Sequence, residues 1–202
     1  MGRWEPDTRA RLERAALELF AENGFDAVTV PQITARAGLT TRTFFRHFAD
    51  KREVLFADAD EMPLMAAQLV LQAPAELGPL DLVAQGLSTL ATAAFDGRLD
   101  QLKQRKAVID SDDGLREREL RKMERLVDAI AAAFRSRGVD DLTAAAVAET
   151  AVGVVKIALR RWLESEGEVP LADLMAETLA RLTGAFARAA NSQLADPSPV
   201  RP

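Results

Sequence analysis

The sequence lacks cysteine, which excludes disulfide bonds, thiolate nucleophiles and cysteine-ligated metal sites. A chain without cysteine suits a reducing compartment, so we expect a cytoplasmic protein. Residues 1–16 are charged and contain no apolar core, which argues against a signal peptide. No apolar run approaches the roughly 18 to 20 residues that a membrane-spanning helix needs, so we expect no membrane partner.

Catalytic groups are also scarce. The only histidine is His47, which leaves little material for metal hydrolysis or for a histidine-activated nucleophile. Neither the phosphate-binding motif G-x-x-x-x-G-K-[ST] nor the nucleophile motif G-x-S-x-G occurs. A carboxylate cluster, DSDD at 110–113, precedes a helical pattern, where acids favour the start of a helix. We therefore expect no enzyme, no bound metal and no cofactor.

The net charge of −5 by itself argues against nucleic acid, but the charge is unevenly distributed. Residues 1–52 contain 9 basic and 7 acidic residues, whereas residues 53–202 contain 17 basic and 24 acidic residues. A mildly basic head on an acidic body favours a nucleic-acid contact near the N-terminus. Local fluctuation of composition is the alternative explanation.

Helix-forming residues dominate the chain, and alternating strand patterns are scarce. We predict an all-α fold of about nine helices. An N-terminal three-helix domain would span 1–52, a larger helical domain 53–190, and a disordered tail 191–202. Pro63 should kink or divide the segment that follows Lys51. The predicted helices cover 7–22, 30–37, 41–47, a segment from Lys51, 80–95, 97–110, 114–137, 141–165 and 170–190.

The stretch TTRTFFRHF at 40–48 combines hydroxyl, guanidinium and aromatic side chains. Two short helices separated by a glycine predict a helix-turn-helix, which places its second helix in the major groove of DNA. At about 100° per residue, Phe44 and Phe48 share the face that packs on the domain. Arg42 and Arg46 lie on the opposite face, which is either a DNA-contacting surface or an ordinary solvated one.

Residues 16–57, ALELFAENGFDAVTVPQITARAGLTTRTFFRHFADKREVLFA, closely resemble the DNA-binding domain of the TetR family of bacterial repressors. The matching marks are LELFAENGFDAVTV, then ITARAGLTTRTFFRHF, then a lysine three positions on, Lys51. The rest of the chain resembles that family only in being helical and of suitable length. The resemblance implies a homodimeric, ligand-responsive repressor. A small-molecule effector would release it from an inverted-repeat operator in double-stranded DNA.

The resemblance also implies a role for individual residues of the motif, which would span 29–48. Thr29 would cap the first helix beside a phosphate, and Lys51 would grip a phosphate. Arginine can contact guanine with two hydrogen bonds, and threonine hydroxyls can contact phosphates or base edges. The remaining predicted DNA contacts are Thr40, Thr41, Arg42, Thr43, Phe45, Arg46 and His47.

Two positions depart from the usual family pattern. The family often has a small residue where Arg42 stands and tyrosine where Phe45 stands. Phe45 has no hydroxyl to offer a phosphate, whereas Arg42 adds a long charged side chain. Both departures bear on which operator is bound, and neither argues against DNA binding.

A two-fold dimer would place two recognition helices about 34 Å apart, one turn of DNA. Apolar residues follow helical spacing along the last predicted helix, and Gly153 in the preceding helix allows close helix approach. Two helices from each subunit would then form a four-helix bundle, unless the same stripe packs inside one subunit. The predicted interface residues are Leu171, Leu174, Met175, Leu179, Leu182 and Phe186.

An effector pocket in the larger domain is implied by the resemblance and only weakly supported by the residues. Large or adaptable apolar side chains favour an apolar effector, while Arg105 would meet an anionic group if it points inward. Core filling by the apolar side chains and a solvated Arg105 is the alternative. The predicted pocket residues are Met65, Phe95, Leu102, Arg105, Met123 and Phe134.

A second class of protein remains open at this point, an all-helical dimeric scaffold or adaptor without specific DNA binding. It would share the apolar stripe of the last helix. It gives no reason for Arg42, Arg46, His47 and Lys51 to lie close to Thr40 and Thr41. We therefore favour the regulator.

Overall fold

The computed structural model describes residues 8–57, 59, 61–95 and 97–195. Within that part of the chain it contains nine α-helices, one 3₁₀ segment and no strand, which confirms the all-α prediction. The helices are α1 Thr8–Asn23, α2 Val30–Arg36, α3 Thr41–Phe45, α4 Glu61–Gln72, α5 Pro79–Phe95, α6 Leu99–Asp110, α7 Asp113–Ser136, α8 Asp141–Glu164 and α9 Leu171–Ala195, with the 3₁₀ segment Glu53–Phe56 between α3 and α4.

The segment after α3 is shorter than predicted. Asp50 caps it, since its carboxylate accepts hydrogen bonds from the backbone N–H of Arg52 at 2.7 Å and of Glu53 at 2.9 Å. Only one 3₁₀ turn follows before the chain leaves the helical path. Pro63 lies in the first turn of α4, where its missing N–H leaves no helical hydrogen bond unmade.

The last helix is longer than predicted. It continues to Ala195, five residues into the segment that we expected to be a disordered tail. The remaining tail residues, 196–202, lie outside the described residues.

Two hydrophobic cores organise the chain. The N-terminal core contains α1, α2 and α3, and its buried cluster continues through Val54, Leu55, Phe56 and Ala59, past the boundary predicted after residue 52. It also takes in Val108, Ile109 and Leu115, which lie where α6 ends and α7 begins. The turn between α6 and α7 is therefore inserted into the N-terminal domain.

The second core is formed by the body helices. α7 packs against α4 and α8, and α9 packs against α5 and α8. By length and composition alone α8 could cross a membrane, since its mean hydropathy reaches 1.7 over 18 residues. The expectation that no apolar run approaches the length of a membrane span is therefore wrong for α8. Its buried residues, among them Ala148, Val154 and Ala158, pack in this core.

Aspartates start the two long helices of the body. Asp112 caps α7 by accepting from the backbone N–H of Leu115 at 2.8 Å, and Asp140 caps α8 by accepting from that of Thr143 at 3.0 Å. The backbone and side-chain hydrogen bonds from Thr143 hold the pKa of Asp140 below its ordinary value. The DSDD cluster thus marks a helix start, as predicted.

Candidate DNA-binding surface and effector cavities

The recognition helix α3 is seated by aromatic packing. Phe44 is fully buried and Phe48 is 3% exposed, and their ring centroids lie 5.4 Å apart. Both belong to the buried cluster that contains Ile33 and Ala37 of the first helix of the motif. Gly38, with φ of 65°, makes the turn between the helices in a conformation that other residues rarely adopt. The prediction for this buried face is confirmed.

The opposite face of α3 is open. Thr41, Arg42 and Arg46 are exposed, and the Phe45 side chain is 57% exposed. Arg42, Phe45 and Arg46 are spaced by three and four residues, so they form one continuous patch on the helix. This patch combines cations with an apolar ring that water does not stabilise, as expected of a surface that meets base edges and phosphates.

The threonine hydroxyls already take part in capping. The Thr40 hydroxyl accepts from the backbone N–H of Thr43 at 3.2 Å and lies 2.9 Å from the Thr43 hydroxyl, so one proton of this pair remains available to a phosphate. Thr29 caps α2, and its backbone N–H and hydroxyl both donate to the Gln32 side-chain oxygen, at 2.7 and 2.8 Å. A phosphate contact from the Thr29 hydroxyl would therefore compete with Gln32.

Lys51 makes its contacts inside the domain, and its phosphate contact stays a prediction. Its ammonium donates to the backbone oxygens of Phe25 at 2.7 Å, Val28 at 2.9 Å and Asp26 at 3.1 Å, and lies 4.4 Å from the centroid of the Phe25 ring. All three N–H donors of an ammonium are thereby used inside the domain. Lys51 holds the turn between α1 and α2 against the segment that follows α3, and a phosphate could bind it only by displacing one of these carbonyls.

His47 is placed beside Phe48, with ring centroids 6.3 Å apart. Its Nε2 atom is buried and has no hydrogen-bond partner among the described residues. The predicted phosphate contact of His47 must therefore come from Nδ1 or follow a rotation of the ring.

The predicted pocket residues line two cavities rather than one. The larger cavity, of about 870 Å³, lies where α1 and the 3₁₀ segment meet the body, and Phe95, Leu102, Arg105 and Met123 line it. Lys122, which is 3% exposed, also lines it and was missed by sequence reasoning. The smaller cavity, of about 280 Å³, lies among α4, α5, α7 and α8 and is lined by Met65 and Phe134.

Arg105 lines the larger cavity, but its guanidinium is already occupied. It donates to the Leu55 backbone oxygen at 2.7 Å and pairs with Glu119 at 2.6 Å, and it lies 5.3 Å from the Phe56 ring centroid. Its guanidinium therefore ties the 3₁₀ segment to the body. Arg105 does point into the cavity, and its contact with an anionic effector stays a prediction that would require competition with Glu119.

Arg118 reaches the same phenylalanine from α7. Its guanidinium lies 5.2 Å from the Phe56 ring centroid and 3.9 Å from the Glu53 carboxylate. Phe56 is thus contacted by two arginines of the body. Sequence reasoning missed this arrangement, because the partners are about 50 to 65 residues apart and no local pattern marks them.

The predicted dimer stripe is corrected in its first half. Leu171, Leu174, Met175 and Leu179 are buried inside the subunit, against the helices of the second core. Leu182 is half-buried, and Phe186 is 66% exposed. The alternative that the stripe packs within one subunit therefore holds for its first four residues.

A different face of the last two helices is left open. It carries small and apolar side chains in helical spacing: Ala146, Gly153 and Ile157 on α8, and Ala176, Ala180 and Ala187 on α9. A Cβ added at Gly153 would meet nothing within 4 Å inside the subunit. The packing of a single subunit therefore does not explain this glycine.

A helix-turn-helix with an open recognition face, joined to a larger helical body, with one cavity within the body and another where the body meets the helix-turn-helix domain, defines the architecture of a helix-turn-helix transcriptional regulator. Comparison with known proteins gives the family. Residues 13–57 match the family of bacterial regulatory proteins described as the tetR family, and residues 77–187 match the MftR C-terminal domain. The chain belongs to the TetR family.

Relatives agree with this assignment. The transcriptional regulator TcmR of Streptomyces glaucescens is 32% identical over 142 residues, which are 66% of this chain and 62% of TcmR. The structure of SmeT of Stenotrophomonas maltophilia with triclosan has a TM-score of 0.58 and 21% identity over 86% of this chain and 90% of that one. FadR of Thermus thermophilus with lauroyl-CoA has a TM-score of 0.51 and 23% identity, with coverages of 87% and 93%.

Proposed function

We propose that this protein is a homodimeric repressor that binds an inverted-repeat operator in double-stranded DNA and is released by a small-molecule effector. The open face of α3 carries the proposal, because Arg42, Phe45 and Arg46 project from a helix that two buried phenylalanines hold in place. Such a protein acts in the cytoplasm, where it meets its operator. The TetR family is a family of regulators, which supports this function over an enzyme.

The two arginines would supply most of the sequence-dependent contacts. An arginine that forms two hydrogen bonds with a guanine contributes about 1–3 kcal/mol of discrimination. The free hydroxyl proton of the Thr40 and Thr43 pair would donate to a phosphate near the start of α3. Phe45 would contact a thymine methyl or a sugar, since it has no group that hydrogen-bonds a phosphate.

The test is selection of genomic DNA fragments by the purified protein, with binding repeated at several salt concentrations. We expect a short inverted repeat whose affinity falls steeply as salt rises. Replacing Arg42 and Arg46 by alanine should abolish the preference while the fold survives. The matched control replaces Arg121 and Arg125, two exposed arginines of α7 with the same spacing. No preferred sequence for the unaltered protein would favour a helical scaffold instead.

The open face of α8 and α9 is the dimer interface in this proposal. Close approach of a second copy explains why a residue without a side chain stands at Gly153. Gly153→Glu should therefore yield monomers in sedimentation equilibrium and weaken operator binding. Ala132→Glu places the same charge on an exposed position of α7 and should leave the dimer intact. Equal behaviour of the two variants would place the interface elsewhere.

Release of the operator would follow from a population shift. An effector that binds one domain arrangement better than the other favours a spacing of the two recognition helices that no longer fits successive major grooves. SmeT holds triclosan and FadR holds lauroyl-CoA in their structures, and these neighbours support an effector for this chain. Effector binding that leaves operator affinity unchanged would contradict the mechanism.

A further inference from the structure

The larger cavity lies at the seam between the two domains rather than inside the body. Leu17 of α1 and Val54 and Leu55 of the 3₁₀ segment line it on one side, and residues of α6, α7 and α8 line it on the other. At about 870 Å³ it is of the size that holds a large small-molecule ligand. A molecule bound there would contact the DNA-binding domain directly.

Each of the five carboxylates that line this cavity has a cationic partner, although Glu13 and Glu61 share Arg9. Glu119 pairs with Arg105 and Asp110 with Lys106, and Arg9 pairs with a glutamate of α1 and another of α4. The fifth carboxylate is that of Glu18, which pairs with an arginine of α2 at 3.3 Å. Eight cations line the cavity against these five carboxylates, so the lining has a surplus of positive charge.

Three cations of the same lining have no such partner. Arg14 on α1 and Lys156 and Arg160 on α8 line the cavity, and within the described part of the chain none of them forms an ion pair. Lys156 and Arg160 are one helical turn apart and therefore share a face of α8. These three exposed cations place positive charge without an ion-pair partner on both sides of the domain seam.

An apolar cavity adjoins this charged one. The smaller cavity of about 280 Å³ shares Met62, Leu126 and Val155 with the larger one. Apart from a few polar groups, its remaining wall is aliphatic and aromatic, with Leu69, Val83 and Phe134 among its residues. The two cavities together have a cationic end and an apolar end.

We propose that the effector is an amphipathic anion, with a phosphate or carboxylate held by Lys156 and Arg160 and an apolar chain that enters the smaller cavity. This inference rests on the proposed function and adds the chemical class and the place of its effector. Arg14 brings the anion into contact with α1, so binding at the seam fixes the tilt of the DNA-binding domain without a relay through the body.

Titration calorimetry of the full chain with dodecyl phosphate, below its micelle concentration, tests the charged end. Replacing Lys156 and Arg160 by alanine should weaken binding by about tenfold or more, because the anion then lacks two charge-assisted hydrogen bonds. Dodecanol, which has no charge, should bind the unaltered protein more weakly than dodecyl phosphate does. It should bind the unaltered protein and the variant without Lys156 and Arg160 equally. The control variant lacks Arg121 and Arg125, which have the same spacing outside the cavity, and should bind as the unaltered protein does.

A second variant tests the apolar end. Gly86 of α5 lines the smaller cavity, and a Cβ added there would meet nothing within 4 Å, so a leucine side chain can start from this position and occupy part of the cavity. Gly86→Leu should weaken the binding of dodecyl phosphate by about tenfold. The binding of butyl phosphate should change little, because its alkyl chain is too short to reach the smaller cavity. If Gly86→Leu leaves the affinity for dodecyl phosphate unchanged, the alkyl chain of the effector does not enter the smaller cavity.

The outcomes separate this inference from the proposed function. Dodecyl phosphate that binds no better than dodecanol, or equal losses in the two double variants, would refute the anion site even if the protein still selects an inverted repeat. Failure to select any DNA would refute the regulator even if dodecyl phosphate binds the cavity. We expect dodecyl phosphate to lower operator affinity in the unaltered protein, and an unchanged affinity would refute its action at the seam.

Discussion

Replacing Lys51 by alanine separates two roles for a residue that the sequence places next to DNA. If Lys51 grips a phosphate, the change should weaken DNA binding and leave the fold intact. If Lys51 holds the turn between α1 and α2, the change should destabilise the N-terminal domain. The three hydrogen bonds from its ammonium favour the second role.

The size of the effect follows from those hydrogen bonds. A hydrogen bond to a charged group contributes about 1.5–3 kcal/mol, and the oxygens of Phe25 and Val28 are partly buried, so water does not fully replace the ammonium. The cation over the Phe25 ring adds about 0.5–1 kcal/mol at a partly exposed site. One ammonium cannot make three bonds at full strength, so we expect Lys51→Ala to lower the free energy of unfolding by about 2–4 kcal/mol.

Urea denaturation and operator titration across salt concentrations measure the two roles separately. If Lys51 holds the turn between α1 and α2, which we call the clamp role, Lys51→Ala should unfold at a lower urea concentration. The slope of log affinity against log salt should then be unchanged. A phosphate-binding role predicts an unchanged midpoint and a slope that is shallower by about 0.9 for each phosphate that no longer meets a cation. Arg52→Ala removes the neighbouring exposed cation and should leave the midpoint unchanged. An unaltered midpoint together with a shallower slope for Lys51→Ala would refute the clamp role.

Three further changes have expected outcomes. Phe45→Tyr adds a hydroxyl to a ring that is 57% exposed, so operator titration should show a gain of about 1 kcal/mol with no change in stability; a loss of affinity would mean that the ring packs against an apolar part of the DNA. Asp112→Ala removes the cap of α7 and should cost about 1 kcal/mol in urea denaturation, whereas Asp113→Ala, at a 93% exposed side chain, should cost less; equal costs would contradict the capping role. The lowered pKa of Asp140 means that its cap stabilises the fold fully above the ordinary aspartate value of about 3.9 and is lost as pH falls through the lower pKa of the folded state. Asp140→Asn keeps a side-chain oxygen that caps α8 but has no group that titrates. Its free energy of unfolding should therefore fall less with falling pH than that of the unaltered protein. If the two proteins show the same dependence on pH, the Asp140 carboxylate does not contribute to acid unfolding.

The local elements could be predicted from the sequence because their signals are local. A helix ends before Gly38, because this glycine adopts a positive φ. Helices start after Thr40 and Asp140, because their side chains accept hydrogen bonds from the first backbone N–H groups. The buried face of α3 followed from the spacing of Phe44 and Phe48. The family resemblance then assigned this helix to DNA, which periodicity alone does not do.

Packing partners could not be predicted in the same way. The stripe that begins at Leu171 has the spacing of a buried helix face, and spacing does not distinguish a partner helix in the same subunit from one in a second subunit. Arg105 illustrates the same limit, because its ion pair with Glu119 and its bond to Leu55 depend on the fold. Lys51 shows that a charge beside a DNA-binding motif can be used up by the backbone of its own domain.

The contacts between the two domains explain how an effector at the seam would change operator binding. Leu115 is fully buried in the N-terminal core although it belongs to α7, so the body cannot move far from the DNA-binding domain. The contacts of Arg105 and Arg118 with Phe56 also join the two domains, and both arginine side chains are partly exposed to solvent. An anion held by Lys156, Arg160 and Arg14 would add a contact between α8 and α1 while Leu115 stays in place. In the proposed mechanism this added contact favours one angle of α3 over the others, and operator affinity falls because that angle does not fit the major groove.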